Sequence, residues 1–265
     1  MSFLGHIIIN NFNIDFMEWL KKQIRRVTDK YTLNKEFTKD YYLSILTVLK
    51  KDHRFIRFTD DGPGILLRHD IDKDLNKAVR MAEIEAGIND DLNAALFNHG
   101  ATRLVHSTFF FLNTRTARYW GSHEMTDAIL YIQSLGHEVG WHNNAITEFL
   151  ETKKDIRSCI LEPIEYLRSM GAVINGSSAH GDRLCKKYRY LNYNVFGLPS
   201  PGWDFWKGDI IFPMSDFRLE YEAYHVPFDG YLADGHYGWK TTPPWDLWET
   251  GGRYQMIVHP MNWRI

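Results

Sequence analysis

Cysteine is scarce in this chain: its 265 residues include only Cys159 and Cys185. Two thiols without metal-type CxxC spacing exclude a disulfide framework and fit a reducing compartment. An excess of charge is missing as well, since 31 Lys and Arg against 33 Asp and Glu leave a net −2 with His neutral. No basic stripe is available to displace the counterions of nucleic acid, so no nucleic-acid partner is expected. No apolar run approaches the roughly 18–20 residues that span a bilayer. Residues 1–10 lack a basic region, and their apolar stretch is too short for a signal peptide. Cytoplasmic localisation is the expectation. Internal repeats, low-complexity tracts and dividing linkers are also missing.

What is present is an ordinary globular composition with 44% apolar residues, enough for a sizeable core. Aromatic residues reach 15%, nine of them Trp, which suits core packing first and sugar binding second. Residues 12–27 read as an amphipathic helix, with Phe12, Phe16, Trp19, Leu20 and Val27 at helical spacing. Lys21, Lys22, Arg25 and Arg26 crowd its second half. A docked helix with a solvated face is the expectation, and the same face would suit peripheral contact with a membrane-linked substrate. A second helix is predicted over 38–51, with Thr38 as N-cap.

From Gly64 onward, short apolar runs alternate with longer helical patterns, the mark of βα units. Strands are predicted at Gly64 to Leu67, Ser107 to Leu112, His137 to His142, Ala172 to Ser178 and Gln255 to Val258. Helices are predicted from Leu75 to Ala86 with Gly87 as a left-handed cap, near 124–135, and over 147–170 up to Gly171. The polar stretch 89–106 reads as a lid or packing insertion. Beyond 185 the pattern weakens.

Four of these strands deliver a carboxylate or imidazole near their C-terminal ends. The first runs into Arg68-His69-Asp70-Ile71-Asp72, the third closes on His142, the fourth leads to His180, and the last to His259. In a βα barrel such ends gather on one face, where active sites lie. Asp70 and Asp72 point the same way on an extended strand, and two like charges so close repel. A divalent cation held by one would relieve that cost and leave the other as a general base. The plainer alternative makes Asp72 the N-cap of the following helix. Alternation sets His142 with Glu138 and Gly140, and His137 on the other side as a structural partner. For His180, a ligand role and a substrate-binding role stay open.

These residues resemble the polysaccharide deacetylases of the NodB-homology superfamily, carbohydrate esterase family 4, in particular divergent members with a His-Asp-Val-Asp first motif. The similarity covers roughly residues 62–263. It rests on Leu67 to Asp72, Ser107 to Phe111, Gly136 to His142 and His259-Pro260. It implies an α/β fold, a distorted (β/α)7 barrel over 61–265, with residues 1–60 as an N-terminal helical extension. It also implies deacylation of an N-acylated amino sugar or glycan at one divalent metal, with zinc the usual ion. By position Asp70 would be the general base, Asp72 and His142 metal ligands, and His259 the acid that protonates the leaving amine. Asp234 would orient that acid.

Two departures stand out. The family's second metal histidine falls four residues after the first, where this chain has Ile146, and the third motif's Arg-x-Pro is replaced by Ser-Ala-His-Gly. Either His180 completes the set of three ligands from the neighbouring strand, or Asn143 and water fill the position, or metal binds poorly. The leading expectation is therefore a metal-dependent deacetylase in surface polysaccharide or lipopolysaccharide biosynthesis. Its rivals are a metal-independent amidohydrolase of the same fold acting on a small ring amide, and a degenerate barrel that binds sugar without turnover.

Overall fold

A computed structural model describes residues 37–96, 104–199, 211–235 and 249–265, with the side chains of 89–96 outside that description. The helix expected over 12–27 lies outside the described residues. The first described helix, α1 (Lys39–Asp52), starts where Thr38 accepts a hydrogen bond from the Tyr41 N–H. Its buried Tyr42, Ile45, Leu46 and Leu49 recur at helical spacing and turn one stripe to the core.

Seven strands follow among the described residues. They are β1 (Gly64–Ile71), β2 (Ser107–Leu112), β3 (Glu138–Asn143), β4 (Ile174–Ala179), β5 (Tyr221–Glu222), β6 (Gly230–Ala233) and β7 (Arg253–Val258). They form one sheet in the order β5-β4-β3-β2-β1-β7-β6, and every neighbouring pair is parallel. Helices α2 (Leu75–Leu96), α3 (His123–Ser134), α4 (Ala145–Thr152), α5 (Ile156–Ser169) and α6 (Arg183–Tyr188) lie between strands. The chain is thus of the α/β class, with a parallel sheet curled into a half-barrel. Every residue of β1 and of β2 is buried, as expected for parallel strands covered on both faces.

The concave side of the sheet carries an apolar floor of Ile56, Phe58, Leu66, Phe110, Tyr221 and Ala223. Glycine makes room for it, because a Cβ at Gly176 would overlap the Tyr221 ring and one at Gly140 would overlap Phe110. Across the open side, Gln255 of β7 donates from Nε2 to the Ala223 carbonyl just after β5, at 2.6 Å. On the convex side, Glu85 of α2 collects four neighbours. His69 Nε2 lies 2.7 Å from Oε1, Tyr42 donates to Oε1, Ser107 donates to Oε2 at 2.5 Å, and His137 Nδ1 stands 3.6 Å from Oε2. His137 also contacts Ser107 Oγ at 2.9 Å, so it does serve as a buried structural partner.

Several expectations need correction. Strand β1 extends through Arg68, His69 and Asp70 to Ile71, because it is buried between layers along its whole length. Gly87 does not end α2, which continues to Leu96 and passes through Gly87 without a positive φ. The ~1 kcal/mol that Gly costs inside a helix is offset by Ile84 and Ile88, which pack on the core to either side. Residues 89–96 of the supposed lid therefore belong to this helix. The single helix predicted over 147–170 is two: Lys153, at φ 61°, ends α4, and Asp155 caps α5 by accepting from the Ser158 N–H. Beyond 185 the sheet gains β5 and β6, too short to show a period. Gly171, at φ 90°, does stop α5 as expected.

Candidate metal centre

Strand β1 places Arg68 and Asp70 at alternating positions, and Asp72 follows one residue beyond its end, so all three turn toward the concave face. Asp72 is not a helix cap. Asp74 performs that task, accepting from the Lys77 N–H at 3.1 Å. Asp72 is left at the rim, and its Oδ1 is buried without a hydrogen bond. Ligand atoms of Asp72, His142 and His180 all lie within 4.8 Å of one another, the spacing of donors around one ion.

His142 is the next-to-last residue of β3, beside Ser178 of β4. Its Nδ1 lies 2.7 Å from the Ser178 carbonyl, which can only accept, so Nδ1 carries the proton and Nε2 is left with its lone pair. That Nε2 stands 3.4 Å from Asp72 Oδ1 and 3.9 Å from Asp70 Oδ2. Burial opposes charge on the ring, but Asp70 and Asp72 outweigh it and hold its pKa above the ordinary histidine value. The two carboxylates thus draw positive charge to this spot, as a proton or as a cation. For Asp72 burial works the other way and is overcome mainly by His142, which brings the carboxyl down to about 2.

His180 follows β4 and packs edge-on to His142, with ring centroids 5.2 Å apart. Burial, reinforced by His142, lowers its pKa to about 4, which keeps it neutral as a ligand must be. Asn143, the other side chain weighed for this place, and Ile146, at the family's usual position, are both engaged elsewhere. Asn143 is fully buried with its oxygen on the Ala145 N–H and its amide on the Asn192 carbonyl. Ile146 is a core residue. Of the three, only His180 reaches Asp72 and His142.

Asp70 lies beside this trio. Arg68 Nη2 donates to Asp70 Oδ2 at 3.0 Å, and the Arg68 guanidinium faces the Tyr224 ring at 4.2 Å. Burial would raise the Asp70 pKa, but Arg68 above all and His142 next lower it below the usual value. His259, at the end of β7, stands with Nδ1 2.6 Å from Asp234 Oδ1. The other Asp234 oxygen accepts from the His259 N–H at 2.9 Å and from Trp263 Nε1 at 2.8 Å. Burial opposes charge on His259, yet the Asp234 bond, assisted by Asp70 and Asp72, raises its pKa to about 9.

No family model matches the chain, and no curated protein or solved structure does either. The site therefore speaks through its own chemistry: two imidazoles and one carboxylate around a common point, a second carboxylate alongside, and a cationic imidazole backed by a buried aspartate. Sequence reasoning missed three contributors. Arg68 was visible in principle, two residues before Asp70 on the same face. Asn144 and Asn192 carried no local signal, because their work is done between elements. Among the described residues no helix is long and apolar enough to cross a membrane.

Proposed function

We propose that this chain is a metal-dependent amide hydrolase of the polysaccharide-deacetylase type. Its substrate is an N-acylated amino sugar or glycan in the cytoplasmic synthesis of surface polysaccharide or lipopolysaccharide. The observation that carries the reading is the convergence of Asp72, His142 and His180 within 4.8 Å, beside an aspartate that accepts a hydrogen bond from Arg68. The orphaned Asp72 Oδ1 and the protonated Nδ1 of His142 fit a cation at that point. One carboxylate and two imidazoles are a donor set suited to zinc.

When bound, a divalent cation polarises an acyl carbonyl and lowers the pKa of a water molecule. Asp70, kept anionic by Arg68, accepts the proton of the attacking water. His259 is cationic below about pH 9 and gives its proton to the departing sugar nitrogen, while Asp234 holds the ring and compensates its charge. The curled parallel sheet belongs, on this reading, to a distorted (β/α)7 barrel.

Elemental analysis of the purified protein tests the proposal. Near-stoichiometric metal is expected in the wild type and loss of it in both His142→Ala and His180→Ala. Metal-free protein that still released acetate from acylated sugars would favour the metal-independent amidohydrolase. Metal-free and inert protein, over a broad panel of such sugars, would favour a binding module.

A further inference from the structure

Asn144 holds the N-cap position of α4, where an asparagine side chain ordinarily accepts from the N–H groups of its own first turn. It makes no such bond. Its carboxamide oxygen lies 3.0 Å from His180 Nδ1. The first turn is served by others. Asn143 Oδ1 accepts from the Ala145 N–H at 3.0 Å, and Asn192 Oδ1 accepts from the Ile146 and Thr147 N–H groups at 2.9 and 3.1 Å. Asn192 is fully buried and comes from the 3-10 turn Asn192–Phe196. Its amide also donates to the His180 carbonyl at 2.8 Å. The borrowed cap therefore grips the His180 backbone while it frees Asn144 to engage the ring.

An oxygen acceptor on Nδ1 fixes the imidazole tautomer: the proton stays on Nδ1 and the lone pair on Nε2. The other nearby acceptor, Asp182 Oδ2, is 3.9 Å from the same nitrogen, beyond hydrogen-bond reach. We propose that Asn144 is a positioning residue of the metal centre, released from helix capping by Asn192 so that it can present His180 Nε2 as the third donor. This rests on the metal reading above.

The test uses the full chain stripped by chelation, Zn²⁺ affinity from competition with a chromophoric chelator, and the visible absorption of the Co²⁺ form. In Asn144→Ala the melting temperature of the metal-free protein should stay near wild type, because α4 is capped from elsewhere. Zn²⁺ should bind about 10–100-fold more weakly, and the Co²⁺ spectrum should change. Asn144→Asp keeps an oxygen acceptor in place and should restore both. Asn144→Ser can cap its own helix but is too short to reach His180, so it carries the test should the alanine variant not fold, with the same loss expected. Wild-type affinity and spectrum in the alanine or serine variant would overturn the inference, as would an aspartate variant as weak as they are. A wild type that takes up neither Zn²⁺ nor Co²⁺ instead removes the metal reading itself.

Discussion

The imidazole of His259 meets the carboxylate of Asp234 at 2.6 Å, and the same carboxylate is locked from behind by Trp263. Asp234 is fully buried, while His259 keeps one side open to the site. A buried anion beside a partly open imidazole stabilises a charged ring; under the proposed reaction, its proton goes to the departing amine.

Replacing that anion should return the imidazole toward the ordinary histidine range. In metal-free protein the His259 resonances should titrate at about 9 in the wild type and well below that in Asp234→Asn. A pKa raised on folding contributes stability that is full below the unfolded value of ~6.5 and fades as pH rises through about 9. Urea midpoints of the wild type should therefore fall between those limits more steeply than those of the variant. An unchanged His259 titration in the variant would exclude Asp234 as its cause.

Asp70→Asn is expected to retain metal and lose about 10²–10⁴-fold in kcat, the usual worth of a positioned base. The asparagine oxygen can still accept from Arg68, so the fold should survive. Metal content together with steady-state kinetics checks this, and an active variant would remove Asp70 from the base role.

Glu85→Gln should destabilise the protein by about 3–5 kcal/mol, since the carboxylate that binds His69, Tyr42 and Ser107 is fully buried and its partners would lose their anion. Burial would raise the Glu85 pKa, but His69 and His137 overcome it and hold the group at about 2. A pKa lowered on folding contributes stability above the unfolded value of ~4.3, which is lost as pH falls toward about 2. Denaturation curves at pH 7, 4 and 3 should show the gap between wild type and variant narrowing with acid. A gap that stays constant would place the effect in packing.

Gly176→Ala tests the concave floor. The added methyl would overlap the Tyr221 ring, itself stacked on Phe58 at 5.0 Å, so the ring must shift within a filled layer. A loss of about 1–3 kcal/mol in chemical denaturation is expected. Gly181→Ala, with nothing within 4 Å of the new methyl, serves as the control and should be nearly neutral.

Much of this architecture could be read from the chain because its signals are local. Thr38 as the cap of α1, the helix that follows it and the apolar cores of β1 through β4 and β7 stood out by composition and period. Two of the errors share one cause, burial acting across elements. Packing of Ile84 and Ile88 carried α2 through Gly87, and the shortness of β5 and β6 hid strands that exist only through pairing with β4 and β7. A capping role was the alternative reading of Asp72, and the placement of Asp74 at that position removed it.

The amino-acid order alone sets Asp70 and Asp72 on one side of an extended backbone, because alternation there is fixed by covalent geometry. It also sets an imidazole within the last two residues of β3 and directly after β4 and β7. Tertiary structure decided which of them meet. Only the pairing of β3 with β4, which sets Asn143 opposite Ala179, brings His180 to His142. Only the β6–β7 pairing brings Asp234 to His259. Strand order is settled by burial and hydrogen bonding over the whole sheet, and those forces act between residues far apart in the chain.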